Sequence, residues 1–397
     1  MGCVFGAARV LFITQLDPSH KFGSLEECIL ALATRSKARG GLLVAVFSGP
    51  VIGTLRAQLT ASDVPFEEFL DLRSWKWGLA KRLLHLIDSH SMDLVDFSFY
   101  APLNPYVTFL RIMRPRVRLV YTEHRSALPE APRSGSMRRL LKRLAFRQYQ
   151  ALFGISDSSC EALQRSSGRE VTRCRLFINT ARFRADSSAR AEIRSRLGAG
   201  NQFVALVVAH LIVWKGVDVA LKAIAAASDS AQLWIVGAGP DVDTLRTLAD
   251  ELGLHTRTLF VGQQIDVSPY LQGADCLVCP SIWKEAMGFV NLEAMACGLP
   301  VIASRTGGIA ELVADGRTGF LVAPGSDEQV AAALRGLMES PDLCRKLGNR
   351  GVTFVREQYS QEACLDRYLK NYDLVCGIAS HRVDRENVGY GRNRNIA

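Results

Sequence analysis

Short apolar runs alternate along the chain with longer stretches whose apolar positions recur every three or four residues. Residues 9–14, 42–48, 94–97, 118–122 and 151–156 are runs of the first kind; residues 24–39, 55–61 and 136–150 are stretches of the second. A strand buried on both faces reads as a continuous apolar run, whereas a surface helix carries an apolar stripe. The alternation predicts a parallel sheet covered by helices. It stops at residues 179–202, which are polar and rich in Arg, Ser and Ala and read as a linker entering a short helix. A second series then begins. Strands are expected at 203–209, 232–236, 258–261, 276–279, 300–303 and 319–322. The clearest helices are expected at 217–227, 242–252, 289–297 and 328–339. Residues 361–375 give one more helix, and the polar residues 378–397 read as a disordered tail. The predicted fold class is therefore α/β, with two facing Rossmann-like, doubly wound domains over residues 1–183 and 184–360. Ligands of such sheets bind beyond the carboxyl ends of the strands, so the cleft between the two domains is the expected site.

Composition narrows the class without changing this picture. The 397 residues are 48% hydrophobic and 22% charged, which excludes collagen, a disulfide scaffold and a fully disordered chain. The ten cysteines are scattered and several lie in apolar runs, so a reducing, cytoplasmic setting is expected. Cys276 and Cys279 form a CxxC inside a predicted strand. Alternation sends them to opposite faces, which argues against a redox or metal pair. No run approaches the roughly 18 apolar residues that span a bilayer, and residues 8–14 read as a first strand rather than a signal peptide.

Charge is unevenly distributed. Residues 1–185 hold 27 Lys+Arg against 15 Asp+Glu, and the remainder holds 21 against 24. A basic half points to an anionic partner. Nucleic acid is not expected, because no nucleic-acid-binding module is present. The stretch from Met137 to Arg147 is a basic amphipathic helix, and Trp75-Lys76-Trp77 precedes Lys81 and Arg82. Both suit an anionic membrane surface, and so a peripheral position at the inner face of a membrane. Core-facing leucines with solvated charges explain the helix equally well.

The informative stretch is Glu285-Ala286-Met287-Gly288-Phe289, continuing through Glu293 to Gly298 and Pro300. A strand, a loop and a helix start follow one another here. The helix N-terminus offers free N–H groups and a partial positive charge, which suits a diphosphate. Glu285 and Glu293 beside it suit hydroxyl-rich groups, such as a ribose and a sugar. On spacing alone, a capping carboxylate and a solvated Glu account for the pattern. Two decoys lie nearby. Gly237-Ala238-Gly239 lacks the third glycine of a dinucleotide fingerprint, since Val242 stands there. Asp241-x-Asp243 opens a predicted helix, where acidic residues favour the dipole.

The wider context carries a resemblance. Val278-Cys279-Pro280-Ser281, Glu285-Ala286, Gly288, Glu293-Ala294-Met295-Ala296, Gly298, Pro300-Val301, Gly307-Gly308, Glu311, Asp315-Gly316 and Thr318-Gly319 together closely resemble the donor half of glycosyltransferase family 4. Val207 through Asp218 resembles the family's strand-loop-Lys-Gly segment, with Lys215 matched and His210 where an Arg is usual. Val120-Tyr121-Thr122-Glu123-His124 resembles the strand ending in a His that faces the sugar. Lys21-Phe22-Gly23-Ser24 stands for the family's Gly-Gly loop with one glycine kept, and residues 178–183 resemble the hinge turn.

The resemblance implies a GT-B fold whose last helix, residues 361–377, crosses back to the first domain. It implies retaining transfer from a UDP- or GDP-sugar to a hydroxyl acceptor in glycan or glycolipid assembly, without a metal or other cofactor. Lys215, His210, Glu285 and His124 are then the catalytic candidates. Gly23, Gly237, Ala286, Met287, Gly288, Phe289 and Glu293 are the donor-binding candidates. No metal ligand is expected. Two other functions fit the same residues: a relative with epimerase or phosphorylase chemistry, and a silent nucleotide-sugar binder, which His210 in place of Arg keeps open.

Overall fold

The computed structural model describes residues 7–378, apart from 17, 19–22, 69 and 125–135. The expected loop residues Lys21 and Phe22, and all but the first residue of the expected tail, lie outside that range. The first domain runs β1 (Arg9–Thr14), α1 (Ser24–Ala38), β2 (Leu42–Phe47), α2 (Gly53–Ala61), β3 (Phe66–Glu67), α3 (Trp77–Ser89), β4 (Leu94–Ser98), α4 (Pro105–Met113), β5 (Arg118–Glu123), α5 (Ser136–Phe146), β6 (Ala151–Gly154), α6 (Asp157–Ser167) and β7 (Thr172–Arg173). The second runs α7 (Ser187–Arg196), β8 (Val204–Val208), α8 (Val217–Ala227), β9 (Gln232–Val236), α9 (Val242–Glu251), β10 (Thr258–Gly262), α10 (Ser268–Gly273), β11 (Cys276–Cys279), α11 (Phe289–Ala296), β12 (Val301–Ser304), α12 (Ile309–Leu312), β13 (Gly319–Val322), α13 (Asp327–Glu339) and α14 (Pro341–Gln358). A last helix, α15 (Gln361–Cys376), follows.

The first sheet has the order β3-β2-β1-β4-β5-β6-β7 and the second β10-β9-β8-β11-β12-β13, with parallel pairing throughout. In each sheet the order reverses beside the first strand, between β1 and β4 and between β8 and β11. Those two switch points are where the strand ends leave a crevice. Both strand faces are covered, as the apolar runs predict. Val10 and Phe12 of β1 enter one core cluster, while Leu11 and Ile13 enter another. In β11, Leu277 and Cys279 face one core and Cys276 and Val278 the other, so the two cysteines diverge. Burial pushes the Cys279 thiol up to about 11.

The chain passes between the sheets twice, close together. Ile178 bridges Ser360, and the Ile178 N–H donates to the Tyr359 carbonyl at 3.0 Å. From there α15 returns to the first domain. The Tyr372 hydroxyl donates to Asp96 Oδ2 at 2.6 Å in the buried heart of that domain. Arg39 pairs with Asp373 and Arg35 with Asp366, both at 2.6 Å, pinning α15 to α1. Asp96 also accepts from Thr122, and its complete burial pushes its carboxyl up to about 7.

On the outside of the first domain, α5 does not turn its leucines to the core. Leu140, Leu141 and Leu144 are 52%, 46% and 46% exposed, and among its described side chains only Ala145 and Phe146 at its end are buried. The core-facing reading of these leucines is thereby corrected: Ala145 and Phe146 at the end of the helix turn to the core instead. Trp77 is also exposed, and Trp75 packs edge-on against it and against Phe109 of α4. No helix among the described residues is long and apolar enough to cross a membrane.

Candidate functional site

The strand ends at the two switch points enclose a cleft of about 1010 Å³ between the domains. All eleven residues singled out from the sequence line it: Gly23 and His124 from the first domain, and His210, Lys215, Gly237, Glu285, Ala286, Met287, Gly288, Phe289 and Glu293 from the second. The fold brings together segments more than 250 residues apart because each follows the carboxyl end of a strand.

The loop between β11 and α11 is built around Gly288. This residue caps α11 with φ +81°, in the left-handed region that side chains avoid, and a Cβ there would meet Asn291 Nδ2 at 2.8 Å. The buried Asn291 amide donates to the Gly288 carbonyl at 3.0 Å and holds the turn. Gly307 and Gly308, in the turn before α12, brace the other side. The Gly308 N–H donates to the Glu285 carbonyl at 2.7 Å. Gly288, Phe289 and Val290 at the start of α11 line the cleft, and a helix N-terminus suits an anion.

Lys215 ends a 3₁₀ turn, Val213–Lys215, that follows β8. Its Nζ lies 2.6 Å from Glu285 Oε1, with the two side chains 28% and 16% exposed. The Ser281 hydroxyl donates to the same carboxylate. Cation and carboxylate thus form one half-sheltered pair at the mouth of α11. Glu293 is buried one turn further in and accepts a hydrogen bond from the Ser24 hydroxyl of the facing domain. His210 lines the cleft at an exposed position after β8.

His124 follows β5 and is buried. Its ring stacks on Phe99 with centroids 4.6 Å apart and planes 15° apart. Phe99 has φ +66°, a costly conformation for a bulky residue, and it follows β4 beside the switch point. Sequence periodicity gives no sign of it. Arg182 was also missed as a lining residue. It reaches from the hinge turn to Glu27 of α1 at 2.9 Å and to Asp266 of the second domain at 2.8 Å. Trp214, Trp283 and Gln264 are among the further lining residues that the sequence left unmarked.

Asp241 and Asp243 stand at the start of α9, as the dipole argument expects. Among the described residues, no group of three or more His, Cys, Asp or Glu is placed to hold a metal ion.

Comparison with known proteins agrees with this geometry. The family model described as "Glycosyl transferases group 1" matches residues 189–353, the half that carries Lys215, Glu285 and Glu293. The chain is 31% identical over 296 residues to a GDP-mannose-dependent alpha-(1-6)-phosphatidylinositol monomannoside mannosyltransferase of Mycobacterium tuberculosis, covering 70% of this chain and 75% of the relative. Solved structures share the fold at lower identity. Anabaena Alr3699/HepE in complex with UDP superposes with a TM-score of 0.78 at 22% identity, over 92% of this chain and 100% of that one. A glycosyltransferase from Rickettsia africae gives 0.80 at 19% identity, over 93% and 98%. The architecture is the GT-B fold, and the relative aligned across most of both chains settles the family: the protein belongs to the group 1 glycosyl transferases and is a glycosyltransferase enzyme.

Proposed function

We propose that the enzyme transfers a sugar, with retention of anomeric configuration, from a UDP- or GDP-sugar to a hydroxyl of a glycan or lipid-linked acceptor. The observation that carries this reading is the single cleft in which Lys215, Glu285, Glu293 and the start of α11 face His124. The donor diphosphate lies against the Lys215 ammonium and the N–H groups of Gly288 and Phe289, with His210 beside it. Glu293 holds the ribose hydroxyls, and Glu285 with the backbone of Ala286 and Met287 holds the sugar. Gly23 and Gly237 let the backbone come close to the phosphates and the nucleoside. His124, held flat by Phe99, faces the sugar from the other domain.

The chemical demand is a departing diphosphate. The bond from the sugar C1 to the phosphate oxygen breaks, and its electron pair leaves with the phosphate. The acceptor oxygen bonds to C1 on the same face, and its proton passes to the departing phosphate oxygen. Fixed donors and a fixed cation stabilise that charge without reorganising. Closure of the two domains excludes water, the competing acceptor. The reading calls for no metal or other cofactor.

The phosphatidylinositol-linked substrate in the name of the Mycobacterium tuberculosis relative supports an acceptor at a membrane. So do the exposed leucines of α5 beside Arg139, Lys142 and Arg143. The first domain then rests on the anionic cytoplasmic face, and flotation with anionic but not zwitterionic vesicles tests this. Incubation with UDP- and GDP-sugars, with nucleotide release followed against candidate acceptors, tests the reaction itself. Wild type releases nucleotide from one of the two donor classes and Glu293→Ala requires more donor to do so. Release from neither class by the wild type would leave a silent binder.

A further inference from the structure

Two tryptophans stand at the rim of the cleft with no part in the chemistry above. Trp214 lies in the 3₁₀ turn immediately before Lys215, and Trp283 lies two residues before Glu285. Their ring centroids are 5.5 Å apart with planes at 56°, and both rings line the cleft. Trp214 is 51% exposed. The Ile282 N–H donates to the Trp214 carbonyl at 3.0 Å, which ties the two segments together. Val213 and Ile282 beside them are exposed as well.

Scattered exposed apolar side chains need no explanation, but an indole pair at the mouth of a charged cleft is a different matter. Depth in the cleft orders the subsites. Glu293 is buried, Lys215 and Glu285 are half-sheltered, and Trp214 is open to solvent. A donor held by the first three leaves the indoles on the outer side, where the second substrate must enter. A pyranose ring presents one face of C–H groups, which suits the electron-rich face of an indole, while its hydroxyls remain in water.

We propose that Trp214 and Trp283 form an acceptor subsite that takes the C–H face of a pyranose ring, placing its hydroxyl toward the sugar at Glu285. The inference rests on the proposed donor site and adds the chemical class of the acceptor: its reacting end is a sugar, not a simple alcohol or an acid. It also places part of acceptor recognition on the second domain.

The test uses the full chain saturated with UDP or GDP, and methyl α-D-mannopyranoside and methyl β-D-glucopyranoside as probes. Saturation-transfer NMR and tryptophan emission report binding. Wild type shows transfer to ring C–H protons of at least one glycoside and a shift in emission. Trp214→Ala and Trp283→Ala weaken that binding by roughly 10-fold, and Trp214→Phe restores most of it. Glycerol as a probe gives no signal. Equal binding by wild type and both alanine variants, or none by wild type, overturns the proposal. Melting curves of each variant identify any that fail to fold, and Trp214→Phe keeps the comparison in that case. Calorimetry with UDP and GDP separates the two levels: failure of nucleotide binding by wild type refutes the donor site, while intact nucleotide binding with glycoside binding that ignores Trp214 refutes only the subsite.

Discussion

A lysine ammonium 2.6 Å from a carboxylate is already satisfied, which raises the question of what it has to spare for a diphosphate. Lys215 has three donors and Glu285 Oε1 takes one. The pair is sheltered enough for charge to matter, and the Ser281 hydroxyl also donates to Glu285, so the carboxylate does not depend on the lysine alone. With His210 exposed and Arg182 engaged by Glu27 and Asp266, Lys215 is the fixed cation best placed for the leaving group. Lys215→Ala is expected to lower kcat by about 10²–10³-fold, the scale of losing one preorganised charge, with KM for the donor rising less. Steady-state kinetics checks this, and a near-normal kcat would remove Lys215 from the mechanism. Lys215 was legible through the resemblance of residues 207–218 to the family's strand-loop-Lys-Gly segment; on local pattern alone it reads as an ordinary lysine at a helix start. Arg182 and Phe99 were not. Arg182 acts through partners 155 and 84 residues away, and Phe99 through a backbone angle that no residue type announces.

The elements show the same division. Strands buried on both faces were legible to within a residue or two, as at β1, β9 and β11, because a short continuous apolar run bounded by polar turns fits a strand covered on both faces. The two-residue strands β3 and β7 left no such trace; each exists only because an edge of the sheet accepts it. The α11 turn lies between these cases. Its glycines are visible in the sequence, but what they clear away is visible only in three dimensions. A Cβ on Gly308 would stand 2.1 Å from the Ala286 carbonyl oxygen and 2.7 Å from its carbon, both backbone atoms with nowhere to go. Gly308→Ala must therefore push the segment that carries Glu285 and Gly288. Misplacement on that scale costs roughly 10²-fold in rate, and overpacking costs about 1–3 kcal/mol in stability. Gly336→Ala is the control: Gly336 lies inside α13 with open space around it, so alanine should stabilise by about 0.5–1 kcal/mol. Kinetics and melting curves of the two variants decide the point. Full activity in Gly308→Ala would mean that the loop repacks freely and that its geometry is not what orients the donor.

At the scale of the whole molecule, what matters is how the two sheets are held face to face. Besides the backbone bridge at the hinge and α15, polar contacts cross directly: Ser24 to Glu293, Arg182 to Asp266, and Glu311 to α6. The last is a carboxylate of the second domain capping a helix of the first. Glu311 accepts from the Asp157 N–H at 2.7 Å and the Ser158 N–H at 2.6 Å. Burial nevertheless pushes its carboxyl up to about 7, with Asp157 adding to the rise and the two N–H donors and Arg173 opposing it. Arg173 is drawn off by its own pair with Asp157 at 2.5 Å, and the neighbouring Tyr359 phenol is pushed up to about 12 by burial. A carboxyl raised on folding binds its proton more tightly in the folded state. Its contribution is therefore full below the ordinary value near 4.5 and is lost as pH rises through about 7. Asp96 titrates in the same range, so a pH profile of the wild type alone would mix the two. Glu311→Gln keeps a side-chain acceptor at the α6 cap, removes only this titration and leaves Asp96 in place. Melting temperatures of the two proteins from pH 5 to pH 8 are expected to converge or cross in one direction. Wild type loses stability relative to Glu311→Gln as pH rises, by on the order of 1 kcal/mol across the window. A difference that stays flat, or that grows in favour of wild type at pH 8, would show that the two N–H donors outweigh burial and that Glu311 holds the domains together as an ordinary ionised cap.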